Sequence, residues 1–171
     1  DISGNIMINE APVTSTLTVP GQRARYTFNG TAGQWVNLGL TSVTTASSVV
    51  SMLNPDGTTL VSTTVGPSGG SLDPATMLPA SGTYTIAVDP VGYNTGSMAL
   101  TLTSPLIGTV SLDGPPAPIN FTKPGSTARY TFSGAAGQWV NLGFSSVTVT
   151  SSTITLLNQD GTVLASTSVG R

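Results

Sequence analysis

Apolar and polar residues alternate along most of this chain with a period of two. Ala24, Tyr26 and Phe28 are separated by Arg25 and Thr27, Val36, Leu38 and Leu40 by Asn37 and Gly39, and Val50 and Met52 by Ser51. Successive side chains of a strand point to opposite faces of a sheet, so each apolar set marks one buried face. No ten-residue stretch carries a helical period. Further strands are expected through Leu60, over 72–78, at Tyr84, Ile86 and Val88, and at Met98, Leu100 and Leu102, separated by turns such as Asn54-Pro55-Asp56-Gly57. Strands at intervals of about 8 to 12 residues predict an all-β chain built as an antiparallel β-sandwich of Greek-key or jelly-roll type.

The pattern returns. Residues 25–66 reappear at 129–170 with an offset of 104 and no gap, and about 28 of these 42 positions are identical. Upstream, Pro12 aligns with Pro116, Thr18 with Thr122, Pro20-Gly21 with Pro124-Gly125 and Ala24 with Ala128. A period of about 100 residues is the size of a domain rather than of a solenoid repeat. The expected organisation is a complete repeat at 1–104 and a second at 105–171 that has no counterpart of 67–104.

Composition narrows the chemistry. The 171 residues contain 5 Lys+Arg, 7 Asp+Glu, no His and no Cys, for a formal net charge of -2. Without a basic cluster the chain has no counterion-releasing surface, so nucleic acid and anionic lipid are excluded as partners. Without His or Cys it lacks the usual general base, the thiolate nucleophile and the standard zinc ligands, and no cofactor is expected. Hydrophobic burial must hold the fold with no help from disulfides. Ser and Thr together supply about 29% of the residues, which suits strands and a neutral hydroxyl surface. No apolar run approaches the ~20 residues of a membrane-spanning helix, so membrane insertion is not expected, and the hydroxyl-rich surface points to a secreted or cell-surface location.

The series Tyr26-Thr27-Phe28, Ala32-Gly33-Gln34, Leu53-Asn54-Pro55-Asp56-Gly57, Leu78-Pro79-Ala80-Ser81-Gly82-Thr83-Tyr84 and Gly96-Ser97-Met98-Ala99-Leu100 resembles the bacterial pre-peptidase C-terminal domain in order and spacing. The resemblance covers the first repeat and as much of the second as the chain contains. It implies β-sandwich modules of the kind appended to secreted peptidases and large surface proteins, with roles in export, adhesion or substrate binding and with no catalytic residue among the matched positions. The scarcity of acidic residues in the loops departs from the calcium-binding relatives of that family.

Individual residues offer few sites. Gln34-Trp35 recurs as Gln138-Trp139, and alternation places each Trp opposite the core-facing Val, where it would form a platform for polysaccharide or pack against a neighbouring repeat. Asn54 with Asp56 recurs as Asn158 with Asp160; these pairs are the best available calcium ligands, but turn capping is the simpler role, as it is for Asp73 and Asp89. Glycoside hydrolysis needs two facing carboxylates, and Glu10 has Gly114 at its repeat position. The Gly-x-Ser-x-Gly string at 66–70 lacks the strand, helix and His of a nucleophile elbow. An isopeptide crosslink through Lys123 would have no counterpart in the first repeat, where Val19 stands in place of the lysine. The Asn-x-Thr triplets at Asn29 and Asn120 are not preserved between repeats.

A sandwich without the strands of 67–104 would expose apolar core and unpaired edges. Three explanations follow: the natural chain continues, a protease has cut after Arg171, or strands of another chain fill the groove beside Val140, Leu142 and Phe144. The expected function is that of a non-catalytic stalk, spacer or filament-forming repeat whose partners are further copies of itself. The rival is an accessory module of a secreted hydrolase or peptidase that binds carbohydrate or protein.

Overall fold

The computed structural model describes residues 1–72 and 76–171. Its contacts divide the chain into Asp1–Ser133 and Gly134–Arg171. Every regular element among the described residues is a strand, as the period of two predicts. In the first unit these are β1 (Ile2–Asn5), β2 (Val13–Leu17), β3 (Ala24–Gly30), β4 (Trp35–Thr41), β5 (Ser48–Leu53), β6 (Thr59–Val65), β7 (Gly70–Ser71), β8 (Thr76–Met77), β9 (Gly82–Pro90), β10 (Gly96–Thr103), β11 (Leu106–Thr109) and β12 (Ala128–Thr131). The second unit holds β13 (Ser152–Leu157) and β14 (Val163–Val169).

Two sheets share one core. The first has the order β1-β3-β9-β5-β6 and the second β2-β10-β4-β7, with β8 also pairing β4. Neighbours in each sheet are mostly distant in sequence, which is the long-range closure of a Greek-key sandwich. The alternating sets interleave between the sheets: Tyr26, Phe28, Val50, Met52, Tyr84, Ile86 and Val88 come from one, and Leu17, Val36, Leu38, Leu40, Met98, Leu100 and Leu102 from the other. The pairing β3·β9 aligns Phe28 with Tyr84, whose rings stack at 5.4 Å between centroids. The Tyr84 hydroxyl donates to the Ala80 carbonyl at 2.7 Å, so the one polar atom of a fully buried ring is satisfied within the preceding loop. Gly30 lies under the same ring, where a Cβ would stand 2.3 Å from Leu78 Cδ1 and 3.1 Å from the Tyr84 ring.

Two strand expectations are corrected. The single strand expected over 72–78 is two short pieces, β7 and β8, which pair separate parts of β4, while Leu72 and Leu78 are buried; Asp73, Pro74 and Ala75 lie outside the described residues. The pattern also missed β1, which runs parallel to β3 with Ile2 opposite Ala24.

Equivalent segments at the 104-residue offset form equivalent pairs where both partners are present. The pair β11·β12 repeats β1·β3 register for register, and β13·β14 repeats β5·β6 down to the irregularity at Leu157, which matches that at Leu53. Within the second unit no strand forms at 139–145. The equivalent β4 takes its hydrogen-bonded neighbours from β7, β8 and β10, all within 67–104, for which the second unit has no counterpart.

Replacing Tyr84 by Phe should cost about 1 kcal/mol, the net worth of its hydrogen bond, and replacing it by Ala about 3 to 5 kcal/mol, with both differences read from urea unfolding.

Candidate functional site

Strand β4 is buried on both faces. Val36, Leu38 and Leu40 face the core, and Asn37, on the opposite face, is only 2% exposed. The neighbouring strand β10 sets Thr101 beside Gly39 and Thr103 beside Asn37, and both threonines are buried as well. Outward positions of a sandwich sheet are ordinarily solvated, so something covers this patch. It is the loop Lys123-Pro124-Gly125-Ser126.

That loop is a tight turn closed by the Ser126 N–H donating to the Lys123 carbonyl at 3.3 Å, with Pro at its second position and Gly125 at φ 74° at its third. This is the geometry that Pro-Gly favours in a type II turn. Gly39 leaves a slot for it. A Cβ on Gly39 would lie 2.7 Å from the Pro124 carbonyl oxygen, and one on Gly125 would lie 2.5 Å from Gly39 Cα. The Asn37 amide and, at 3.5 Å, the Thr103 hydroxyl donate to the Gly125 carbonyl. The Lys123 ammonium donates to the carbonyls of Asn9 and Glu10. Asn37 Oδ1 and Thr101 Oγ1 are buried without a hydrogen-bond partner among the described residues. Each hydrogen bond made is worth about 1 kcal/mol net and each buried polar atom left unmatched costs about 1 to 3 kcal/mol, so the polar contacts give register to the seat more than strength.

Beside the seat, the Arg129 guanidinium lies 3.8 Å from the centroid of the Trp35 ring. Trp35 is half-buried, and one face of its ring is taken by the cation of Arg129 in β12. Such a contact contributes about 0.5 to 1 kcal/mol near a surface. Trp139 is 98% exposed. Gln34 and Gln138 close their own turns: Gln34 Oε1 accepts the Thr31 N–H at 3.0 Å, and Gln138 Oε1 accepts the Ala135 N–H at 2.9 Å. Val140, Leu142 and Phe144 are exposed and lie outside any strand.

The acidic turns are self-contained. Asp56 Oδ1 accepts both the hydroxyl of Thr58 at 2.6 Å and its N–H at 2.9 Å, while the Asn54 amide donates to the same hydroxyl at 3.0 Å. Asp160 repeats this with Thr162 at 2.7 and 2.9 Å, and Asn158 donates to the Thr162 hydroxyl at 2.8 Å. These bonds favour the ionised carboxylates and hold both below the ordinary 3.8, through the Thr58 hydroxyl and then its N–H for Asp56, and through the Thr162 N–H and then its hydroxyl for Asp160. Asp89 pairs with Arg23 at 3.0 Å on an exposed surface, beside an open depression of about 330 Å³. Asp73 lies outside the described residues. Among the described residues no three acidic side chains converge on one point.

The alternation of the sequence missed the seat, because Asn37 and Gly39 read as ordinary solvent-facing positions. The signal was present in the repeat: Arg25, Asn37 and Gly39, together with the Pro20-Gly21 turn, recur unchanged as Arg129, Asn141, Gly143 and Pro124-Gly125.

A carboxylate whose folded pKa is lowered adds stability above its unfolded pKa and loses it as pH falls through the folded value. The hydrogen bonds from Thr58 and Thr162 to these carboxylates should therefore hold at neutral pH and be lost progressively as pH falls below 3.8. The Thr58 and Thr162 amide resonances should report this in an NMR pH titration. Asp56→Ala should abolish the transition at Thr58 and leave that at Thr162.

No protein-family model matches the chain, and no curated protein matches it. Among solved structures, the chain is similar to the periplasmic g-type lysozyme inhibitor PliG of Aeromonas hydrophila, at 16% identity and a TM-score of 0.42, over 59% of this chain and 96% of that one. It is similar also to the pre-peptidase C-terminal domain of collagenase from Bacillus anthracis, at 11% identity and a TM-score of 0.47, over 58% of this chain and 93% of that one. PliG of Salmonella Typhimurium is similar at 15% identity and a TM-score of 0.44, over 60% of this chain and 97% of that one.

Proposed function

We propose that this chain is a non-catalytic structural repeat of a secreted or cell-surface bacterial protein, related to the pre-peptidase C-terminal domains and divided into a repeat at 1–104 and a second at 105–171. Its role is that of a stalk, spacer or assembly module whose partners are further repeats of the same kind. The observation that carries this reading is the seat on β4: the Pro-Gly turn and Arg129 of the second repeat cover Asn37, Gly39 and Trp35 of the first. A contact of backbone against backbone, in which neither glycine tolerates a side chain, fixes the Lys123-Pro124-Gly125-Ser126 turn on the sheet of β4. That is what a spacer requires and what a flexibly tethered binding module does not. The neutral Ser/Thr surface supports the same role, since it packs beside copies of itself with little charge repulsion.

The 98% exposure of Trp139 favours a second reading, an accessory module that offers an aromatic face to polysaccharide or to a protein substrate.

Pulling on the chain by its ends separates spacer from binder. A load-bearing repeat should give way in one cooperative step that releases roughly 3.3 to 3.6 Å of contour per residue of the first repeat. Featureless extension at low force would remove the structural reading. A saturable change in Trp emission with polysaccharide, lost in Trp139→Ala, would replace it with the accessory module.

A further inference from the structure

The first repeat carries a second copy of the seated turn. Val19-Pro20-Gly21-Gln22 is closed by the Gln22 N–H donating to the Val19 carbonyl at 3.0 Å, and Gly21 has φ 78° against 74° at Gly125. The Gln22 side chain stiffens it by accepting the N–H groups of Thr18 at 2.8 Å and Val19 at 3.3 Å. Arg25 follows Gly21 by four residues, as Arg129 follows Gly125, and it occupies the same register opposite Ser3 that Arg129 occupies opposite Ile107. A Cβ built on Gly21 would meet nothing within 4 Å, whereas the one on Gly125 strikes Gly39.

We propose that this turn is a docking head, and that it seats on the Trp35-Val36-Asn37-Leu38-Gly39 strand of a second copy of the chain once that copy's own Lys123-Pro124-Gly125-Ser126 turn is displaced. The partner is identified by the contact already made within the chain: the same turn, with the same Arg four residues on, lies on that strand and covers its Asn37, Gly39 and Trp35. In the docked pair the partner's Asn37 donates to the Gly21 carbonyl, Gly21 lies against the partner's Gly39, and Arg25 covers the partner's Trp35. One head meets one tail of a different kind, so the contact is heterologous, and among chains whose internal turn is unseated it propagates as an open row rather than closing as a symmetric dimer. Val19 stands where the second repeat has Lys123, so the ammonium contacts to the Asn9 and Glu10 carbonyls have no equivalent, and docking between chains is weaker than the seat within one. Tethering also gives the internal turn an effective concentration of order millimolar, so it outcompetes a free head for the same strand. The inference rests on the structural-repeat reading and adds the partner surface and the direction of assembly.

The experiment frees the tail of the whole chain and asks whether heads find it. Gly125→Val unseats the internal turn, because its side chain meets Gly39 and a β-branched residue resists positive φ. Lys123→Glu with Arg129→Glu does the same without any demand on the backbone, and serves if the first variant fails to fold. Sedimentation from micromolar to near-millimolar concentration should show the unaltered chain at the mass of one copy, and either variant growing past two copies as concentration rises. Adding Gly21→Val should return both variants to one copy. A seat variant that is folded and stays at one copy throughout, or one that associates equally well with Gly21→Val, overturns the docking head. The cooperative step in the pulling experiment would be untouched by that outcome, so failure here leaves the structural reading in place.

Discussion

The backbones of Gly39 and Gly125 approach so closely that a side chain on either would collide with the main chain of the other segment. That contact decides the rest of the arrangement around β4. It requires a turn with positive φ on one side and a strand position without a Cβ on the other, and it places the Gly125 carbonyl where the Asn37 amide meets it. Polar side chains that would otherwise be solvated become a buried second face of the strand. The sandwich beneath supplies the rigidity, because β4 is held by β10 along its length and by β7 and β8 on its other edge.

The comparison between repeated segments shows how much of this fold is local. The pairs β1·β3 and β5·β6 recur as β11·β12 and β13·β14 because each needs only residues that both repeats contain. β4 does not recur, although Gln-Trp-Val-Asn-Leu-Gly is identical in both places. Identical sequence gives a strand in one setting and none in the other, since a strand's hydrogen bonds belong to its neighbours. Val140, Leu142 and Phe144, which align with the buried Val36, Leu38 and Leu40, are exposed.

Alternation sufficed for the core: each apolar set at 24–28, 36–40, 50–52, 84–88 and 98–102 is buried as the period of two requires. It did not suffice for β1, whose Ile-Ser-Gly-Asn carries too few apolar residues to mark a parallel edge strand, nor for the split of 72–78 into β7 and β8. The seat was legible only as a coincidence of identical residues between the matching segments, because burial of Asn37 and Thr103 depends on a loop at least twenty residues further along the chain. The Gln34-Trp35 pair shows the same limit. Its outward placement follows from alternation, but the cation over the ring comes from Arg129.

The central claim is that the Pro124-Gly125 turn lies on the sheet formed by β4 and β10. The α-protons of Gly39 and Gly125 test it most directly, because these two residues are 86 apart in sequence and meet only in the seat. A nuclear Overhauser spectrum of the chain should contain a strong cross-peak between them, lost in Lys123→Glu with Arg129→Glu. Sharp resonances for both glycines with no cross-peak between them would contradict the account.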